Sequence, residues 1–198
     1  MSADLRSFLE DFAAAMQVAD ARRLQASSKR SSRVYQAGIG PHGEDEAVDL
    51  IVAELKHSHP ERYRSLRTRV PYAGTRQKCD LTLGEGPEWA IEVKMARLSG
   101  DNGKPDDTSI KDILSPYDRD RSALSDCRKL AESRFAKRAA ILIYGFEDAR
   151  RPLNYIIEAF EILARKRIAL GPRIDAPVSG LVHPVFTAGC VFAWEVCR

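Results

Sequence analysis

Apolar residues recur at helical spacing between residues 3 and 25, where Leu5, Phe8, Leu9, Phe12 and Met16 fall on one stripe and predict an amphipathic helix. A second helix is expected over 44–57, opened by Pro41-His42-Gly43 and carrying Val48, Ile51, Val52 and Leu55. Three alternating segments follow near 66–72, 78–84 and 88–95, and read as strands. A third helix is predicted over 121–135, after a capping Asp120 or Ser122, with Leu124, Cys127, Leu130, Ala131 and Phe135 at helical spacing. The continuous run Ala139-Ala140-Ile141-Leu142-Ile143-Tyr144 predicts a strand at 139–145 covered on both faces. Beyond Pro152, Ile156, Ile157, Phe160 and Leu163 mark another helix, and residues 181–196 read as a hairpin turning near Ala188-Gly189. The core order is αβββαβ.

The strongest chemical signal lies in two of these strands. Lys78-Cys79-Asp80-Leu81-Thr82-Leu83 and Glu88-Trp89-Ala90-Ile91-Glu92-Val93-Lys94 flank a Gly/Pro turn and form a hairpin. Alternation sends Leu81, Leu83, Trp89, Ile91 and Val93 to a core, and Asp80, Thr82, Glu92 and Lys94 to the other side. With Glu85-Gly86-Pro87 as a three-residue loop, Gly84 pairs with Glu88 and Asp80 stands opposite Glu92, their β-carbons roughly 5 Å apart. A loop one residue shorter or longer breaks that pairing. Carboxylates so close repel unless a proton or cation lies between them. Mg2+ suits such a pair because it takes one or two carboxylates together with waters and phosphate oxygens. Lys94, on the same face, can then orient or deprotonate the attacking water, or stabilise charge on the phosphorane.

A Glu-x-Lys triplet alone is common by chance, and Glu54-Leu55-Lys56 is a second copy, read as a solvated helical pair. What distinguishes the strand copy is the aspartate on the adjacent strand. Glu44 adds a further acid: stepping back by four and seven from the apolar stripe of its helix places it on the inward face, although a first-turn acid also favours the helix dipole. Glu46 and Glu54 are read as surface charges.

Glu44, Asp80 and Glu92-Val93-Lys94, in this order of elements, resemble the PD-(D/E)xK nuclease superfamily over roughly residues 41–146. Cys79 stands where that superfamily often has proline. The resemblance implies an α/β fold with a restriction-endonuclease-like αβββαβ core, a mixed central sheet flanked by helices, an N-terminal helix, and a C-terminal helix plus hairpin. It implies Asp80, Glu92, Lys94 and Glu44 as catalytic residues, with Asp80, Glu92, Glu44 and the Val93 carbonyl holding Mg2+, for which Mn2+ can substitute. It implies DNA as substrate, with RNases and structure-specific nucleases sharing the scaffold. The other class is a non-catalytic nucleic-acid-binding or assembly subunit, against which the intact charged positions argue.

A chain of 198 residues, 44% apolar, can bury one substantial core, so a single domain is expected, with residues 1–35 as helix and basic joint, 41–146 as catalytic core and 147–198 as extension. The net charge of +3 does not announce a nucleic-acid binder. Its distribution says more. Acid-free basic stretches hold Arg22, Arg23, Lys29, Arg30 and Arg33, then Arg62, Arg64, Arg67, Arg69, Arg76 and Lys78. From these, Arg30, Arg33, Arg69, Arg76 and Lys78, joined by Arg97 just past the triplet, are candidates for gripping phosphates; solvated surface is the alternative.

Residues 99–119, rich in aspartate, glycine and proline, read as a lid or substrate-reading loop with a short helix around 109–114; Lys129 on the following helix can approach the site, although an exposed helix face is the favoured reading. The first helix reads as packing or a homodimer contact, and Ala26 to Arg33 as a flexible joint. Cysteines 79, 127, 190 and 197 lack CxxC spacing, which argues against structural zinc and for reduced thiols in the cytoplasm. Acidic residues near the N-terminus argue against a signal peptide, and no membrane partner is expected.

Overall fold

The computed structural model describes residues 4–27, 33–148 and 150–197. A six-stranded mixed sheet forms the centre, and helices cover both faces. Helix α1 (Leu5–Ala21) buries the expected stripe of Leu5, Phe8, Leu9, Phe12 and Met16. The chain then pairs β1 (Gln25–Ser27) with β2 (Val34–Ala37) in a small antiparallel ribbon. The first helix is therefore shorter than its apolar pattern suggested, and Ala26 and Ser27 belong to a strand rather than to a flexible joint. Residues 28–32 of that joint, Arg30 among them, lie outside the described residues.

Helix α2 (Glu44–Ser58) leads into β3 (Arg67–Pro71), β4 (Lys78–Leu83) and β5 (Trp89–Arg97), which pair antiparallel in that order. A crossover carrying α3 (Thr108–Leu114) and α4 (Ala123–Glu132) returns the chain to β6 (Arg138–Glu147), parallel to β5. Helix α5 (Asn154–Arg165) and the antiparallel pair β7 (Ile174–Ser179) and β8 (Ala188–Glu195) complete the sheet in the order β3-β4-β5-β6-β8-β7. Pro71 and Pro177 sit on its edge strands, where a missing N–H is tolerated. Strand β6 is central and buried from Ala139 to Phe146, as a continuous apolar run requires.

Two cores result. One joins α1 and α2 to the sheet face bearing Leu81, Leu83, Trp89, Ile91 and Val93; the other joins α4 and α5 to the face bearing Ala90, Ala96, Ile141 and Ile143. Helix α4 is capped by Ser122, whose hydroxyl accepts from the Ser125 amide at 3.3 Å. It ends at Glu132, short of the expected 135, and Phe135 instead packs on Tyr72 with ring centroids 5.2 Å apart.

Two expectations fail for identifiable reasons. Ala188-Gly189 opens β8 rather than forming a turn; the connection runs through 180–187, beginning with Gly180 at φ +70°. Gly189 is needed for close packing: a β-carbon there would lie 2.2 Å from the Gly145 carbonyl oxygen of β6. Gly189→Ala is therefore expected to destabilise by about 3 kcal/mol, read from the midpoint of chemical denaturation; an unchanged midpoint would contradict this packing. Glu54 is buried rather than solvated, because Arg22 at the end of α1 ion-pairs with it.

Candidate active site

The hairpin register is the one the three-residue loop demands. Leu83 pairs with Trp89, Thr82 with Ala90 and Leu81 with Ile91; one further step sets Asp80 against Glu92. There the ladder opens. The β3–β4 pairing also skips Asp80 and its neighbour Arg69, whose φ of 53° is held beside an ion pair to Asp49 at 2.8 Å. Asp80 is thus released from regular pairing, and its Oδ2 accepts the Val93 amide at 2.8 Å. Glu44, at the start of α2, reaches the same strand one residue pair further on, where its Oε2 accepts the Met95 amide at 2.6 Å. Its place on the inward stripe of α2 is confirmed, and the acidic first turn favours the dipole as well.

Glu92 points under α4 and is 1% exposed. Its Oε1 accepts from the Tyr72 hydroxyl at 2.5 Å and lies 3.0 Å from the Lys129 Nζ. The Lys94 ammonium sits 2.9 Å from Asp126 Oδ2 and 3.6 Å from Glu44 Oε1, and donates to the Val93 carbonyl at 3.2 Å. Lys129 donates to Asp126 Oδ1 at 2.7 Å. The predicted Glu44, Asp80, Glu92 and Lys94 are therefore gathered in one place. Asp126 and Tyr72 join them without having been anticipated, and Lys129, expected on an exposed face, turns inward because α4 packs over the strand that carries Glu92. A signal for Asp126 existed: it shares the buried stripe of α4 with Ala123, Cys127 and Leu130, as Glu44 shares that of α2.

The electrostatics follow from an excess of acids over amines. Burial, opposed by Lys94 and the Met95 amide, lifts Glu44 to about 7, although a third of its side chain faces the cleft. Burial together with the Asp126 and Asp80 charges raises Glu92 well beyond the usual carboxylate range, against the pull of Lys129 and Tyr72. Burial acts to lower Lys94, but Asp126, Glu44 and Asp80 together hold it above its ordinary value. At neutral pH it is an ammonium. As an ammonium, Lys94 is suited to orienting water and stabilising phosphate charge.

These groups line a cleft of about 1220 Å³. Arg76, Lys78, Arg121 and Arg134 stand exposed around it, above the acidic floor. Arg97 also lines it, tied by its guanidinium to the Gly40 carbonyl at 2.6 Å. Arg33 and Arg69 are not among its lining residues; they pair with Asp101 at 2.9 Å and Asp49 at 2.8 Å. The 99–119 segment forms one wall through Asp106, Thr108, Ser109 and Asp112. It is pinned: Asp101 accepts from Arg33 and the Gln36 amide and meets His183 Nε2 at 2.9 Å, while Ser99 joins Asp148 and Arg151. The expected short helix is α3.

Among the described residues, no three His, Cys, Asp or Glu side chains are gathered tightly enough to form a ready metal cage. Mg2+ does not require one. The donor chemistry fits a hard divalent cation: the floor offers carboxylate oxygens, no described His or Cys is among the residues lining the cleft, and buried negative charge is incompletely balanced by Lys94 and Lys129. The four cysteines are free, and no described helix is long and apolar enough to cross a membrane.

Because Glu44 holds its proton to about pH 7 in the folded chain and to about 4.5 when unfolded, the folded state binds more protons across that interval. Its contribution to the stability of the metal-free protein therefore falls as pH rises from about 5 to about 7. Thermal melts should show this decline, flattened in Glu44→Gln and opposed by millimolar Mg2+; identical pH profiles for the two proteins would contradict the assignment.

Compared with protein-family models, with curated proteins and with solved structures, the chain finds no match.

Proposed function

We propose that this protein is a Mg2+-dependent endonuclease of the PD-(D/E)xK type, hydrolysing phosphodiester bonds in DNA. The observation that carries this is the convergence of Glu44, Asp80 and the Glu92-x-Lys94 triplet on one opened strand edge, with consecutive outward amides of that strand fixing two of the acids. The order α2, β3, β4, β5, α3, α4, β6, with an antiparallel hairpin followed by a parallel crossover, supports a restriction-endonuclease-like core with α3 as an addition within the crossover.

Asp80, Glu92 and the Val93 carbonyl would hold the cation, with Glu44 as the further acid. When bound, Mg2+ would supply Lewis-acid polarisation of the phosphate and a more acidic water. The chain's own groups do the rest. Asp80 spends Oδ2 on the Val93 amide and keeps Oδ1 for a ligand. Glu92 spends Oε1 on Tyr72 and Lys129 and keeps Oε2. Lys94, fixed as an ammonium, donates to the attacking water or to a non-bridging phosphate oxygen, where negative charge grows in the transition state. Arg76, Lys78, Arg121 and Arg134 give the cleft a cationic rim over an acidic floor, an arrangement that draws a polyanion without competing for the cation site.

The test is incubation of the purified protein with plasmid, single-stranded DNA and RNA, each with Mg2+, Mn2+ or EDTA. Plasmid cutting that needs the metal is expected. Cutting of RNA alone would move the substrate to the RNase class, and binding without any metal-dependent cutting would replace the enzyme with a nucleic-acid-binding subunit.

A further inference from the structure

Helix α4 delivers two charges into the site that neither cation binding nor handling of the water accounts for. Asp126 has only 6% of its side chain exposed, and Lys129 22%. Both belong to an amphipathic helix anchored by Ala123, Cys127 and Leu130, so their positions are set by core packing and not by the mobility of a loop. Their contacts are crossed. Asp126 holds Lys94 with Oδ2 and Lys129 with Oδ1, and Lys129 reaches past Asp126 to Glu92.

We propose that Asp126 and Lys129 are a positioning pair for phosphodiester hydrolysis, Asp126 aiming the Lys94 ammonium and Lys129 aiming the Glu92 carboxylate. One helix thereby sets both charged members of the triplet. This rests on the nuclease function proposed above. Lys94 is braced from both faces of the sheet, by Glu44 of α2 on one side and Asp126 of α4 on the other. Without Asp126 its four-carbon stem is free to swing toward Glu44. Lys129 and the Tyr72 hydroxyl share Glu92 Oε1, which fixes the carboxylate plane and leaves Oε2 outside those contacts, as outer partners do around metal-binding carboxylates. The Lys129 ammonium also lies 5.4 Å from the centre of the Tyr72 ring, so the two hold each other in place.

The experiment compares wild type with Asp126→Asn, Lys129→Met and Lys129→Arg. It follows plasmid cleavage, Mg2+ binding by calorimetry, and folding by circular dichroism. Asp126→Asn is expected to lower kcat by about 10- to 100-fold with little change in KM. Lys129→Met should show a comparable kcat loss, and Lys129→Arg should recover most of it. Mg2+ affinity should fall in Lys129→Met and recover in Lys129→Arg, because Lys129 aims a cation-binding carboxylate, and should change little in Asp126→Asn, because Asp126 aims the Lys94 ammonium. Purely structural residues would weaken Mg2+ affinity in Asp126→Asn and Lys129→Met alike, and that result would overturn the proposal. Wild-type kcat in Asp126→Asn would overturn it too, while leaving the nuclease function standing. Absence of metal-dependent cutting by the wild type would remove both.

Discussion

Lys94→Met is expected to reduce metal-dependent cleavage by about a hundredfold to a thousandfold, the usual consequence of losing one preorganised cationic donor at a centre of developing negative charge. Methionine keeps the length of the aliphatic stem, so the loss reports the ammonium. The same variant takes from Asp126 and Glu44 their shared counterion, and because Lys129 still pairs with Asp126 the loss costs about 1–3 kcal/mol. Thermal stability should therefore fall with activity. Millimolar Mg2+ should restore part of the stability but not the activity, because a cation can replace the missing charge without replacing the donor. Cleavage at the wild-type rate would remove Lys94 from the chemistry.

Asp80→Asn and Asp80→Ala should each lower cleavage by more than about a hundredfold, since both delete a charged ligand. They should differ in stability. Asparagine still offers an oxygen to the Val93 amide, whereas alanine leaves that N–H without its acceptor, at a cost of about 1–3 kcal/mol. In a chain of this size the difference is on the order of 5 °C in melting temperature. Equal inactivity with unequal melting points would separate the two jobs of this carboxylate. Full cutting by either variant would refute its place in the site.

The parts of this site that were legible in the sequence lie on elements whose periodicity is strong. Strand alternation put Asp80 and Glu92 on one side and Leu81, Ile91 and Val93 on the other, and helical counting turned Glu44 inward; the structure agrees on the apolar set and on Glu44, while at Asp80 the alternation breaks, Cys79 packing in the opposite core to Leu81. What escaped depends on tertiary contacts with long sequence separation. Lys129 meets Glu92 only because the crossover lays α4 over β5, and Lys129 on its own helix looks like a solvated charge. Asp126 was detectable by the same stripe logic that found Glu44. Glu54 was misassigned because its partner, Arg22, arrives from the end of another helix. Gly189 shows a different limit: glycine marks both turns and close backbone approach, and only the neighbouring strand decides between them.

The basic residues teach a related lesson. Acid-free stretches of sequence suggested a phosphate grip, yet Arg22, Arg33, Arg62, Arg64 and Arg69 all pair with carboxylates contributed by distant segments. Arg76 and Lys78 line the cleft, so the electrostatic case for a polyanion rests on them and on Arg121 and Arg134, which lay outside those stretches.

The proposed nuclease centre requires the carboxylates of Asp80 and Glu92 to share a divalent cation, which anomalous diffraction from crystals soaked in Mn2+ would locate. One strong peak is expected in the cleft, about 2.1 Å from a carboxylate oxygen of each residue. A cleft without that peak at saturating Mn2+, or a peak that touches neither carboxylate, would contradict it.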